Sequence, residues 1–235
     1  MRKLCLIQLL LTVAANGQIT PVDLKEMKIL ATSPSYDQLF KRYLSNDTSL
    51  TLTDYRTLYF GEAFRDSYKP YARHDSIRAL NNYLNTVEKP DFTKVLSLTG
   101  MILKEFPFNL EQVLLTGIAY DKLGNRSKSR LWLKKYENLL TAIISSGDGR
   151  SANTAFMVTK TSDEYNVIRA FRLKFVGQSL IMENNHNYDK MDLEENEHYI
   201  DALYFNIDLF YGKLNYFLAH DLPHLLGFFK QRAVR

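Results

Sequence analysis

The apolar positions of this chain change period once. From Val22 to Ile144 they recur every three or four residues, the spacing of amphipathic helices; from Thr154 onward they alternate, the spacing of strands. Between the two regimes lies Ser145-Ser146-Gly147-Asp148-Gly149, where two glycines flank an aspartate. Glycine enters positive φ without a side-chain clash, and aspartate bonds nearby backbone amides. The stretch therefore reads as a tight turn and as the seam of the molecule.

Before the seam, Val22, Leu24, Met27, Ile29 and Leu30 predict a helix over 21–30, with Pro21 tolerated in its first turn. Ser33-Pro34-Ser35 breaks it, and Leu39, Phe40, Tyr43 and Leu44 carry the next stripe. Asn46-Asp47-Thr48-Ser49 is a turn cluster. Thr51 or Thr53 can cap a third helix, with Asp54 favourable in its first turn. Tyr55, Leu58, Tyr59 and Glu62 lie along one side of that helix. Tyr68-Lys69-Pro70-Tyr71 reads as an extended turn, because the residue before a proline avoids the α region. Helices follow over 73–83, 91–106, 110–123 and 127–144. Pro107, Asn109, Val113, Gly117, Tyr120 and Gly124 stand at tetratricopeptide-repeat spacings, with departures at Thr116 and Ser129. The likeness predicts a short stack of helical hairpins rather than a long solenoid.

After the seam the pattern predicts a strand over 155–159, with Phe156 and Val158 on one face. A short helix capped by Ser162 follows, with Asp163 and Glu164 in its first turn. Strands over 172–181 and 188–193 flank the turn Asn184-Asn185-His186-Asn187. A β-prone strand over 199–207 and a helix over 208–218 complete the series. The order β-α-β-β-β-α implies a small, mainly antiparallel sheet with helices on one side. The fold class is thus α+β and predominantly α-helical. Tetratricopeptide-like hairpins occupy 18–145, a small α+β region packed on them occupies 146–220, and a basic tail runs over 221–235.

Arg2 and Lys3 precede an apolar run over 4–15, too short to span a bilayer comfortably. Ala15-Asn16-Gly17 supplies the small residues of a cleavage site, so residues 1–17 read as a signal peptide and the mature chain would begin at Gln18. Export to the periplasm or outside the cell is expected, as a soluble protein with no membrane insertion once the leader is removed. Cys5, the sole cysteine, lies inside the leader, so the mature chain has no disulfide and rests on core packing. Without Arg2 and Lys3 the formal charge falls from +4 to +2, which with no basic stripe argues against nucleic acid.

The chemistry-bearing residues form few constellations. Ser146 lacks the surroundings of a nucleophile elbow. His220 and His224 have ligand-like spacing, but Pro223 lies between them, and no metal or other cofactor is expected. Asp189, Asp192, Glu194, Glu195 and Glu197 lack the glycine and alternation of a calcium loop, and read as a solvated acidic hairpin. Asp75-Ser76-Ile77 resembles a short O-glycosylation site of exported bacterial proteins.

Taken together, residues 50–61, Tyr68-Lys69-Pro70-Tyr71, Ser146-Gly147-Asp148-Gly149, residues 154–158, Glu164-Tyr165 and Leu203-Tyr204-Phe205-Asn206 are similar to an exported family of Gram-negative gut bacteria of the Bacteroidota type, domain of unknown function 4919. The likeness runs from about Val22 to Leu218 and implies export but no activity. Its polar set is Arg56, Tyr59, Tyr68, Tyr71, Asp148, Thr154, Glu164, Tyr204 and Asn206. In one reading these line a binding cleft at the seam for a protein partner or small ligand, with Arg56 free to pair an anion bidentately. In another, Arg56 pairs with Asp148 or Glu164 and the set locks the two halves together. A third makes Asp148 and Glu164 the acid–base pair of a glycan or peptide hydrolase.

Overall fold

Side chains close to the backbone decide where each helix begins. The computed structural model describes residues 19–72 and 75–216; the readings of a leader over 1–17, of His220 and His224, and of a tail over 221–235 lie outside them. Asp23 accepts from the amides of Lys25 and Glu26 and opens α1 (Leu24–Ala31). Pro34, read above as part of a break, is the first residue of α2 (Pro34–Leu44), where its missing N–H costs nothing. Thr51 and Asp54 form a reciprocal capping box at the start of α3 (Leu52–Gly61). The helices α4 (Asp75–Thr86), α5 (Phe92–Glu105), α6 (Leu110–Lys122) and α7 (Arg126–Ile144) follow. Asp91, Asn109 and Asn125 cap the last three. Gly117 lets α6 lie so close to α7 that an added methyl would meet Leu133 at 2.8 Å.

Past the seam come β1 (Phe156–Met157), α8 (Thr161–Ala170), β2 (Phe175–Glu183), β3 (His186–Leu193), β4 (Ala202–Asn206) and α9 (Asp208–Tyr216). Ser162 does not cap α8, which opens one residue earlier from an extended Lys160. The strands form one sheet in the order β1-β4-β3-β2. β1 pairs parallel with β4, and the other two pairings are antiparallel. Asn184 and Asn185, at φ 51° and 63°, make the two-residue hairpin turn whose twist suits a β-ribbon. The fold is α+β and mostly helical, as the periodicity predicts.

Strand parity sends Phe156, Phe205, Leu203, Met191 and Leu193 to the face that packs on the helices. They share one core with Tyr43, Leu58, Phe60, Phe108, Leu139 and Ile143 from the helical half. Separating the sheet would expose Phe156 and Phe205 among others, at roughly 1.5–3 kcal/mol each. A smaller cluster around Leu80, Val95, Ile102 and Ala119 holds α4, α5 and α6. On the opposite face of the sheet, Met157, Asn206 and Tyr188 stand in one cross-strand row. Among the described residues β2 is the long edge strand, and most of its residues are exposed.

Candidate functional site

The polar residues singled out in the sequence separate into an inner network and an outer pocket. The turn at the seam divides them. Gly147 lies so close to the returning chain that a Cβ would sit 2.3 Å from the Thr154 carbonyl. Gly149 has φ +70°, and its Cβ would strike the Phe156 ring. The amides of Asp148 and Gly149 both donate to that Thr154 carbonyl, at 2.9 and 2.8 Å. The Asp148 carboxylate accepts from the Arg150 amide at 2.9 Å, as a turn aspartate does.

The inner network joins α3, α8 and β3. The Tyr59 hydroxyl donates to Asp163 Oδ2 at 2.6 Å and accepts from the Thr159 amide at 3.1 Å. Tyr68 donates to the Thr159 carbonyl. Tyr71 donates to the Phe210 carbonyl at 3.0 Å and sets its ring edge-on to Phe210. Tyr59, Tyr68, Asp163 and Glu164 are all buried. Burial raises Asp163, against the lowering influence of Lys160, Tyr59 and Thr159. Burial also raises Glu62, with Lys160 pulling it down and Asp163 pushing it up. Glu164 receives no N–H or O–H from a neighbouring donor. Its companion is the Asp189 carboxyl, and two carboxyls bond each other only through a shared proton. Burial, the Asp189 charge and that hydrogen bond push Glu164 up to about 10.

Several expectations are corrected here. Arg56 is not free for an anion, nor is it paired with Asp148 or Glu164. It donates to Ser145 Oγ at 2.5 Å and to the Thr20 and Pro21 carbonyls at 2.7 and 3.5 Å, and its guanidinium lies over Phe60. It ties the segment 19–22 to the end of α7. Tyr59, Tyr68 and Tyr71 do not line the seam pocket, and their hydroxyls bond internal partners. Glu164 has no access to solvent, and the carboxyls acting on it are Asp189 and Asp163 rather than Asp148. Asp189 is no part of a solvated hairpin. It shares strand parity with Met191 and Leu193, and that alternation was the signal that could have found it.

The outer pocket takes in two more members of the set, Thr154 and Asn206. It encloses about 240 Å³ between the segment 19–22, the seam residues 152–157 and the outer row of the sheet. Thr154 and Asn206 line it, with Asn153, Met157, His186 and Tyr188. Tyr204 stands beside it, packed against the cluster of Ala152, Ala155 and Tyr188, and its amide donates to the Gly149 carbonyl at 2.9 Å. His186 Nδ1 meets Asp208 Oδ2 at 2.5 Å, while Asp208 Oδ1 accepts from the Asn187 amide at 2.8 Å. The imidazole is thereby fixed at the rim. Ser146 also lines the pocket, but it donates to the Ile143 carbonyl and accepts from the Met157 amide, which leaves no proton to give as a nucleophile. Among the described residues, no group of three His, Cys, Asp or Glu side chains could hold a metal ion.

A protein-family model described as Domain of unknown function (DUF4919) matches residues 21–213. The chain belongs to that family. The DUF4919 match takes in both halves of the fold, the seam turn, the inner network and all but the first lining residue of the pocket, Ile19. Comparisons with curated proteins and with solved structures give no match. No described helix of this DUF4919 chain is long and apolar enough to cross a membrane.

Proposed function

We propose that this chain is an exported, non-enzymatic binding protein that takes a small uncharged ligand in the seam pocket. The observation that carries the reading is the lining itself, which among the described residues includes no Asp, Glu, Lys or Arg. A charged ligand would give up its hydration there without an opposite charge to replace it. A ligand bearing hydroxyl or amide groups would meet Asn153, Thr154, Asn206 and His186, and its apolar face would meet Pro21, Val22, Met157 and Tyr188. A saccharide unit has that mixture of faces. Export is supported by Arg2, Lys3, the apolar run over 4–15 and Ala15-Asn16-Gly17. The hydrolase reading is not taken up, because Glu164 is sealed inside the fold.

A thermal-shift screen of neutral sugars, blocked peptides, nucleotides and organic anions tests the binding. A neutral sugar at a hundred times its Kd stabilises by about 2.7 kcal/mol. That shift is expected to vanish in Asn153→Leu while the midpoint without ligand stays put. Shifts by anions alone, or a sugar shift unchanged in both Asn153→Leu and His186→Leu, refute the pocket. Sequencing the N-terminus of the protein from a Gram-negative host tests the export: a start at Gln18 in the periplasm or medium supports it, and an intact cytosolic chain refutes it.

A further inference from the structure

Among the described residues, β2 is an edge strand of nine residues with no strand paired to its outer side. Proteins usually protect such an edge with prolines, lysines on the strand, a cover or a very short strand. Phe175–Glu183 has no proline and no lysine, and its one irregularity is a bulge between Phe175 and Gly177 at its start. Beyond the bulge the strand is regular through Glu183. Its apolar side chains stand in solvent: Val176 is 57% exposed, Leu180 54% and Met182 75%. Leu180 and Met182 project on the same side of the sheet as the buried Met191 and Asp189, past the end of the helical cover.

The strand is also complementary to itself. Its only charge is Glu183 at one end, and Lys174, largely exposed and paired within its own chain to Glu194 at 3.0 Å, immediately precedes the other. Laid antiparallel on a second copy about Ser179, Gln178 faces Leu180, Val176 faces Met182, and Glu183 arrives beside Lys174 of the other chain. A parallel arrangement would stack Glu183 on Glu183, and like charges directly opposite are destabilising. The twofold axis of this pairing runs normal to the sheet, so the exposed Leu180 and Met182 of both copies fall on one side and cover each other. The two four-stranded sheets become one of eight strands.

We infer that a second copy of this chain occupies the β2 edge, forming an antiparallel β2–β2 dimer centred on Ser179. The interface is one strand wide, at the small end of specific interfaces, so the dimer is of the reversible kind.

Sedimentation over a concentration series tests it. The wild type is expected to move from monomer to dimer as its concentration rises through the micromolar range. Leu180→Lys, a change at an exposed site, is expected to stay monomeric at every concentration with an unchanged thermal midpoint. The register has its own test. In a Cys5→Ser background, Ser179→Cys places two thiols on the axis, within the Cα separation a disulfide tolerates. Mild oxidation should link that variant to itself and should not link Gly177→Cys, whose partner position is Ile181. A wild type that remains monomeric at the highest concentration, or a dimer that survives Leu180→Lys, overturns the inference. Equal cross-linking of the two cysteine variants overturns the register.

Discussion

Glu164 on α8 and Asp189 on β3 interact across the helix–sheet boundary, and burial together with the Asp189 charge pushes the Glu164 carboxyl up to about 10. An ionised Glu164 would place two buried negative charges side by side, with Asp163 as a third neighbour. Keeping the proton avoids that repulsion, and the hydrogen bond joins the sheet to the helix that crosses it.

This pair makes stability depend on pH in a stated direction. Glu164 ionises around 4.5 in an unfolded chain and holds its proton to about 10 when folded. Between those limits the folded state carries the extra proton, so stability falls as pH rises. Asp163 and Glu62 are raised too and act in the same direction. The urea midpoint is expected to decline from pH 5 to pH 9. Glu164→Gln should flatten that decline by up to one proton's worth, about 1.4 kcal/mol per pH unit. A variant whose midpoint follows the wild-type slope would sink the shared-proton account.

Tyr59→Phe removes one hydroxyl and strands one group outright. The Thr159 amide loses its acceptor, while Asp163 loses its short donor and keeps only the Thr159 hydroxyl at 3.5 Å. An unsatisfied buried group costs about 1–3 kcal/mol, and the variant should lose that much in equilibrium unfolding. A loss below about 1 kcal/mol would mean that water replaces the hydroxyl.

Gly147→Ala and Gly149→Ala should each cost about 3 kcal/mol or more, because the new methyl meets the Thr154 carbonyl or the Phe156 ring. Gly100→Ala is the control. It lies within α5 with nothing near its absent Cβ, and alanine there should gain about 0.5–1 kcal/mol. Unfolding curves of the three variants check both signs together.

Arg56→Ala should loosen the segment 19–22 without dissolving the core. The lost bonds run to Ser145 and to the Thr20 and Pro21 carbonyls, a change of about 1–3 kcal/mol. Hydrogen exchange at the Thr20 amide, which donates to the Ser145 carbonyl at 2.9 Å, should accelerate while Tyr59 and Phe60 keep their protection. Unchanged exchange at Thr20 would show that the segment is held by its packing alone.

The sequence was most legible where one signal decided the matter. A capping residue placed Thr51 at a helix start, alternation and β-propensity found all four strands, and the Gly147–Gly149 turn marked the change of period. The site was less legible, because residue type does not reveal direction. Arg56 has the form of an anion-binding residue, but three protein acceptors take its donors. Asp163 and Glu164 read as ordinary first-turn acids, and only the packing of α8 between α3 and β3 shows that they are buried. The pocket gathers segments near residues 20 and 154 with residues 186, 188 and 206, which no local pattern connects. Thr154 and Asn206 were in the candidate set, whereas His186 had appeared only as a turn residue.

The parallel pairing of Phe156 with Phe205 also governs the order of assembly. The helical hairpins and the β2–β3 ribbon join neighbours in the chain and can form early. β1 must wait until α8, β2 and β3 have been laid down and β4 swings back to it, a closure over a long stretch of chain. The seam is therefore expected to be the last part of the molecule to set and, under stress, the first to come apart. A molecule seated in its pocket would bridge the segments that close latest, and so act as a clasp on the slowest step of folding.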